Sequence, residues 1–125
     1  MQVNLGNRSW VLLLAIMLAT AGTGMASTSW RQYTLTRSDV CRIESDVEEL
    51  PGGSRFDEYD RVYAGQMEND RYVVTGVLTR SSNPAIAIVS HEKLPLVFDG
   101  GCDVITIKYD LQSKTVLSVR CNGEA

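Results

Sequence analysis

The chain has little of what most catalytic centres are built from. Its 125 residues hold one histidine, His91, and three cysteines, with no C-x-x-C pair, no G-x-S-x-G turn and no glycine-rich phosphate loop. Without C-x-x-C, the paired ligands of a zinc site and the close thiols of a dithiol redox centre are missing. The serines have no nucleophile elbow to occupy. Gly52-Gly53 and Gly100-Gly101 read as turns rather than phosphate cradles. Basic residues are also in deficit, 12 Lys and Arg against 15 Asp and Glu. Nucleic acid requires a basic face, so no nucleic-acid partner is expected.

No apolar run is comfortably long enough for a membrane span. "WVLLLAIMLATA", Trp10 to Ala21, is uninterrupted, yet even extended to Ala26 it only reaches the short edge of the ~20 residues a bilayer needs. Arg8 precedes it, small residues follow it, and cleavage fits after Ala21 ("ATA") or Ala26 ("GMA"). That pattern describes a secretory signal peptide over residues 1–26, and no Lys/Arg cluster follows as a stop-transfer signal would. No cysteine stands at either cleavage point, which sets aside an acylated lipoprotein. The expectation is a secreted or periplasmic protein with no stable membrane span after cleavage.

Residues 27–125 suffice for one small domain, a size at which only about two-thirds of the unfolded surface is buried and a covalent brace matters. Export favours paired thiols over metal or catalysis. Cys102 and Cys121 flank "DVITIKYD" and "TVLSVRC", which read as one hairpin. A four-residue loop, Asp110 to Ser113, opposes Ile107 to Val116 and Cys102 to Cys121. A one-residue slip packs Ile107 against Leu117 and Ile105 against Val119 instead, but sends the sulfurs to opposite faces. A bulge at Gly100-Gly101 would re-aim Cys102 and restore the match. The pair is therefore expected as a structural disulfide, its rival being a bond from Cys41 to one of them.

The remaining pattern is β-rich. "RVYAGQM" and "RYVVTGVLTR" flank the turn Glu68 to Asp70, "AIAIV" suits a buried strand, and "LPLVF" suits an edge strand because of Pro95. Residues 27–54 form a polar, acidic segment whose first part, 27–37, suits an arm or edge strand. Within it Ser38 or Asp39 caps a helix over 39–50, with Val40, Ile43, Val47 and Leu50 on one side and Pro51-Gly52-Gly53 ending it. The expected fold over residues 55–125 is mainly β, or small α+β. Its antiparallel sheet has five or six short strands, curled or sandwich-like, with that one N-terminal helix.

Charge is concentrated. Residues 39–60 hold eight acids against Arg42 and Arg55, a net of −6. Glu48, Glu49, Asp57, Glu58 and Asp60, interleaved with Phe56 and Tyr59, resemble a contact surface for a basic protein partner. The acids Glu44 to Glu49 and Asp57 to Asp60 do not follow the D-x-[DN]-x-[DN]-G calcium loop, so no metal or other cofactor is expected. Cys41 is the odd thiol. The functional expectation is a non-enzymatic exported module of binding or inhibitor type, using the acidic surface. Its alternative is a small hydrolase or thiol enzyme built on Cys41 or His91. Nothing in the sequence speaks to oligomeric state.

Overall fold

The computed structural model describes residues 29–123, so the expected signal peptide lies outside the described residues. Five strands form one sheet in the order β3-β1-β2-β4-β5: β1 Tyr59–Glu68, β2 Arg71–Arg80, β3 Ile86–Ile88, β4 Gly101–Asp110 and β5 Thr115–Asn122. The sheet is open at both edges, neither closed nor doubled into a sandwich. Its strands are antiparallel except at β1 and β3, which run parallel. Asn69 and Asp70 join β1 to β2 with φ of 50° and 63°. That left-handed pair matches strand twist, and it makes the turn one residue shorter than the sequence suggested.

The helix α1, Arg37–Asp46, starts earlier and ends sooner than expected. Thr36 is its cap: the Asp39 N–H donates to the Thr36 hydroxyl at 3.2 Å, and the Thr36 N–H donates to the Asp39 carboxylate at 2.9 Å. Asp39 thus acts from the third helical position, not as the cap. Val47 leaves helical geometry, and Leu50, extended before Pro51, still reaches the core.

Alternation decides which face α1 covers. Tyr59 and Tyr63 on β1, Tyr72, Val74 and Leu78 on β2, and Ile105, Ile107 and Tyr109 on β4 point one way, into a core completed by Val40, Ile43, Val47 and Leu50. The segment before the helix joins this layer, with Trp30 and Tyr33 rings 5.8 and 5.4 Å from Tyr72. Two glycines make room for tyrosines: a Cβ on Gly76 would overlap the Tyr63 ring, and one on Gly65 the Tyr72 phenol.

Three tyrosine hydroxyls in this layer end on helix carboxylates. Tyr33 donates to Asp39 at 2.7 Å, Tyr63 to Glu44 at 2.9 Å, and Tyr109 to Asp46. Burial, then the adjacent Glu44, pushes Tyr63 well above its ordinary range. Burial, then the bond to Asp46, pushes Tyr109 up to about 12.

The closing hairpin takes neither register considered from sequence. Its loop is Leu111–Lys114, one residue further on, with Asp110 opposite Thr115 and Lys114 at φ 56°. Asp110 sets that position, accepting from the Gln112 and Ser113 N–H groups at 3.0 and 3.2 Å while its carboxylate pairs with Arg71. A bulge at Leu117 then places Val119 opposite Ile107 and Cys121 opposite Ile105. A second irregularity between Gly101 and Ile105 brings Cys102 back beside Cys121, where they form a disulfide.

Two expected strands differ. "AIAIV" contributes only β3, a three-residue edge strand that is half-buried, because β2 already occupies the inner side of β1. "LPLVF" is not a strand. The chain must pass from β3 at one edge to β4 across β1 and β2, so residues 89–100 cross the face opposite α1 as a strap.

Replacing Cys102 and Cys121 together by alanine should lower unfolding free energy by about 3 kcal/mol in urea titrations, since the bond closes a loop of 19 residues' separation. The raised phenols predict alkaline sensitivity. The unfolded chain loses these protons near pH ~10, whereas folded Tyr109 holds its proton to about pH 12. Its contribution is complete below pH ~10 and is lost as pH rises toward 12. Denaturation followed from pH 8 to 12 should show that fall, and Tyr109→Phe should make it shallower.

Candidate functional site

The strap has one apolar wall, and among the described residues nothing covers it. Leu96 and Phe98 are 82% and 86% exposed, and they stand with Leu94, Pro95 and Val97 over the sheet. Alternation supplies the floor: Thr75 and Val77 from β2, Thr106 and Lys108 from β4, all pointing away from α1. β5 continues it, with Ser118 opposite Lys108 and Arg120 opposite Thr106. The strap's far end is tied down where the Asn122 side-chain amide donates to the Val97 carbonyl at 3.0 Å.

Two hollows result, of about 380 and 340 Å³, meeting at Val97, Phe98, Thr106, Lys108 and Asn122. They are successive parts of one half-open groove. Lys108 lies 3.6 Å from Glu68, and Arg120 forms no ion pair among the described residues. His91 and Glu92 stand at the strap's beginning. The Glu92 carboxyl is held below its usual range, first by its own backbone N–H and then by the Ser90 hydroxyl. The groove combines an apolar wall with hydroxyls, an amide and two cations.

The residues singled out from sequence are differently placed. Cys41 is exposed on α1, whereas His91 is on the strap across the sheet, so the two are not brought together. Tyr59 cannot be a contact residue: strand pleating puts it fully in the core, its hydroxyl donating to the Cys102 carbonyl at 3.0 Å. Phe56 is half-buried against that core beneath the Arg61 guanidinium. The Asp60 carboxylate accepts from the Ala85 N–H at 2.9 Å, and Asp57 pairs with Arg55. Glu58 accepts from the Arg55 N–H at 2.6 Å and stands 3.9 Å from Arg80.

Glu48 and Glu49 are exposed and form no ion pair among the described residues. They sit between shallow hollows, one reaching Phe56 and one reaching Val116 and Val119. Glu44 is spent on Tyr63 and Arg61; Arg61 Nε lies 2.8 Å from its carboxylate, close in charge but not aligned as a hydrogen bond. Among the described residues, no cluster of three His, Cys, Asp or Glu is placed to hold a metal, and no helix is long and apolar enough to cross a membrane.

The groove is not legible in the sequence, where "LPLVF" reads as an edge strand; Pro95 between two leucines is the one signal there against a paired strand. Compared with known proteins, the chain matches no family model, no curated protein and no solved structure. Function therefore rests on geometry.

Exposure of Cys41 predicts that the native, unreduced protein is alkylated there alone, with Cys102 and Cys121 resisting reagent until reduced. Cys41→Ser should leave the urea midpoint unchanged, because the side chain packs against nothing in the core.

Proposed function

We propose that this protein is an exported, non-enzymatic binding module whose binding surface is the strap and the groove beneath it. The observation that carries this is the exposure of Leu96 and Phe98 on a segment fastened across the sheet. Covering each would contribute about 1.5–3 kcal/mol of transfer free energy. Large apolar side chains grouped beside a polar rim are characteristic of binding sites.

Export rests on the apolar run Trp10 to Ala21 with its basic flank and small-residue cleavage sites. The Cys102–Cys121 bond is of a kind that persists in oxidising compartments and fits that reading. A hydrolase or thiol enzyme would have to work from Cys41 without His91, or from His91 with no thiol beside it. The acidic surface supports a basic partner less well, since only Glu48 and Glu49 of its charges lack internal partners among the described residues.

Two measurements test this. Intact mass of protein recovered from an exporting host should correspond to cleavage after Ala21 or Ala26. Purified protein should bind the neutral dye Nile red with increased fluorescence, and Leu96→Ser with Phe98→Ser should abolish the signal at an unchanged urea midpoint. Dye binding indifferent to those two substitutions would place the apolar site elsewhere.

A further inference from the structure

We infer that the groove beneath the strap takes a single-chain amphiphile with a carboxylate head, of the fatty-acid class. This rests on the strap being the binding surface and adds which ligand it accepts. The wall formed by Leu94, Leu96, Val97 and Phe98 suits an apolar chain, and the floor is not apolar throughout. Lys108 and Arg120 project on the same face of adjacent strands, offset by two residues along the ladder, since Lys108 opposes Ser118 and Arg120 opposes Thr106. Both border the hollow that contains Phe98.

Charge argues for an anion. The chain as a whole is acidic, yet this floor carries two cations, of which only Lys108 forms an ion pair among the described residues, with Glu68 at 3.6 Å and both side chains substantially exposed. Arg120 has a free guanidinium fork among the described residues, a geometry that grips a carboxylate with two parallel hydrogen bonds. Thr106, Ser118 and Asn122 supply further polar contacts around the same hollow. Among the residues lining the two hollows the one acid is Glu92, at the opposite end beside Leu94 and Pro95; outside the lining, Glu68 stands by Lys108 and the Asp99 carboxylate lies against Gly123. A ligand with its head at Arg120 and Lys108 and its chain along Leu96 and Phe98 therefore meets attraction at one end and apolar cover along its length. The two hollows, about 340 and 380 Å³, are at the small end for ligand sites, which favours one acyl chain over a diacyl lipid.

The test is a titration of the purified, disulfide-bonded protein at neutral pH with sodium decanoate and with decyltrimethylammonium, both below their micelle concentrations. Decanoate should bind at least tenfold more tightly than its cationic counterpart. Lys108→Gln with Arg120→Gln should erase that preference at an unchanged urea midpoint. Equal affinity for the two head groups, or a decanoate preference that survives the double substitution, would overturn the assignment. So would binding to anionic phospholipid vesicles with none to free decanoate. Retained Nile red binding in such a case sinks only the head-group assignment; loss of dye binding to wild type as well sinks the groove itself.

Discussion

The bonds between sheet tyrosines and helix carboxylates are the constraint on which the rest depends. The helix α1 buries only Val40 and Ile43 within its own ten residues, too little apolar surface to dock by itself. Phenols close the difference. Tyr63 and Tyr109 are fully buried in the sheet's inner layer, and their hydroxyls must find acceptors there; Glu44 and Asp46 provide them from the helix. The ring fills core volume and its tip orients the helix. Gly76 extends the same logic into β2, since the Tyr63 ring occupies the space where a side chain would stand. An acid-rich helix on a sheet with buried tyrosines is one way to dock a helix that buries little apolar surface of its own.

That solution explains why the acidic run misleads. Acids at 39, 44 and 46 read as surface charge when only neighbours in sequence are visible, but their partners Tyr33, Tyr63 and Tyr109 lie as far as 63 residues away. Asp60 likewise holds the connection into β3 through the Ala85 N–H. Charge that appears available for a partner is largely internal fastening. The exceptions, Glu48 and Glu49, fall just after the helix, where no tyrosine faces them.

Legibility followed the range of the interaction. The β1–β2 hairpin, the disulfide and the existence of an N-terminal helix are readable from alternation, turn residues and apolar spacing, whereas the cap is not, since Thr36 and not Ser38 or Asp39 takes that place. Hairpin register was not, because it depends on Asp110, which binds the loop's N–H groups and Arg71 at once. The parallel pairing of β3 was not readable either, since it follows from β2 pairing with β4 rather than from anything within "AIAIV". The groove is the extreme case. Its floor alternates with the core residues on the same strands, so half of its members were visible as strand positions, while its wall depends on the route of a connection.

The disulfide has a second consequence once the strap is considered. Cys121 borders the groove, and the next residue, Asn122, holds the Val97 carbonyl and also pairs with the Thr106 hydroxyl at 2.6 Å. Cys102 follows Gly100 and Gly101, through which the strap turns into β4. One covalent bond therefore fixes both the strap's exit and the strand end that anchors it. A brace joining β4 to β5 anywhere else along the hairpin would restrict the unfolded chain comparably, because the entropic effect depends mainly on loop length. Only at this end does it also hold the apolar wall at a set height above Lys108 and Arg120. Stability and the shape of the groove are in this way coupled through Cys102 and Cys121, and exposure of Phe98 is tolerated because the segment carrying it is fastened at its end, not left to fold onto the nearest apolar surface.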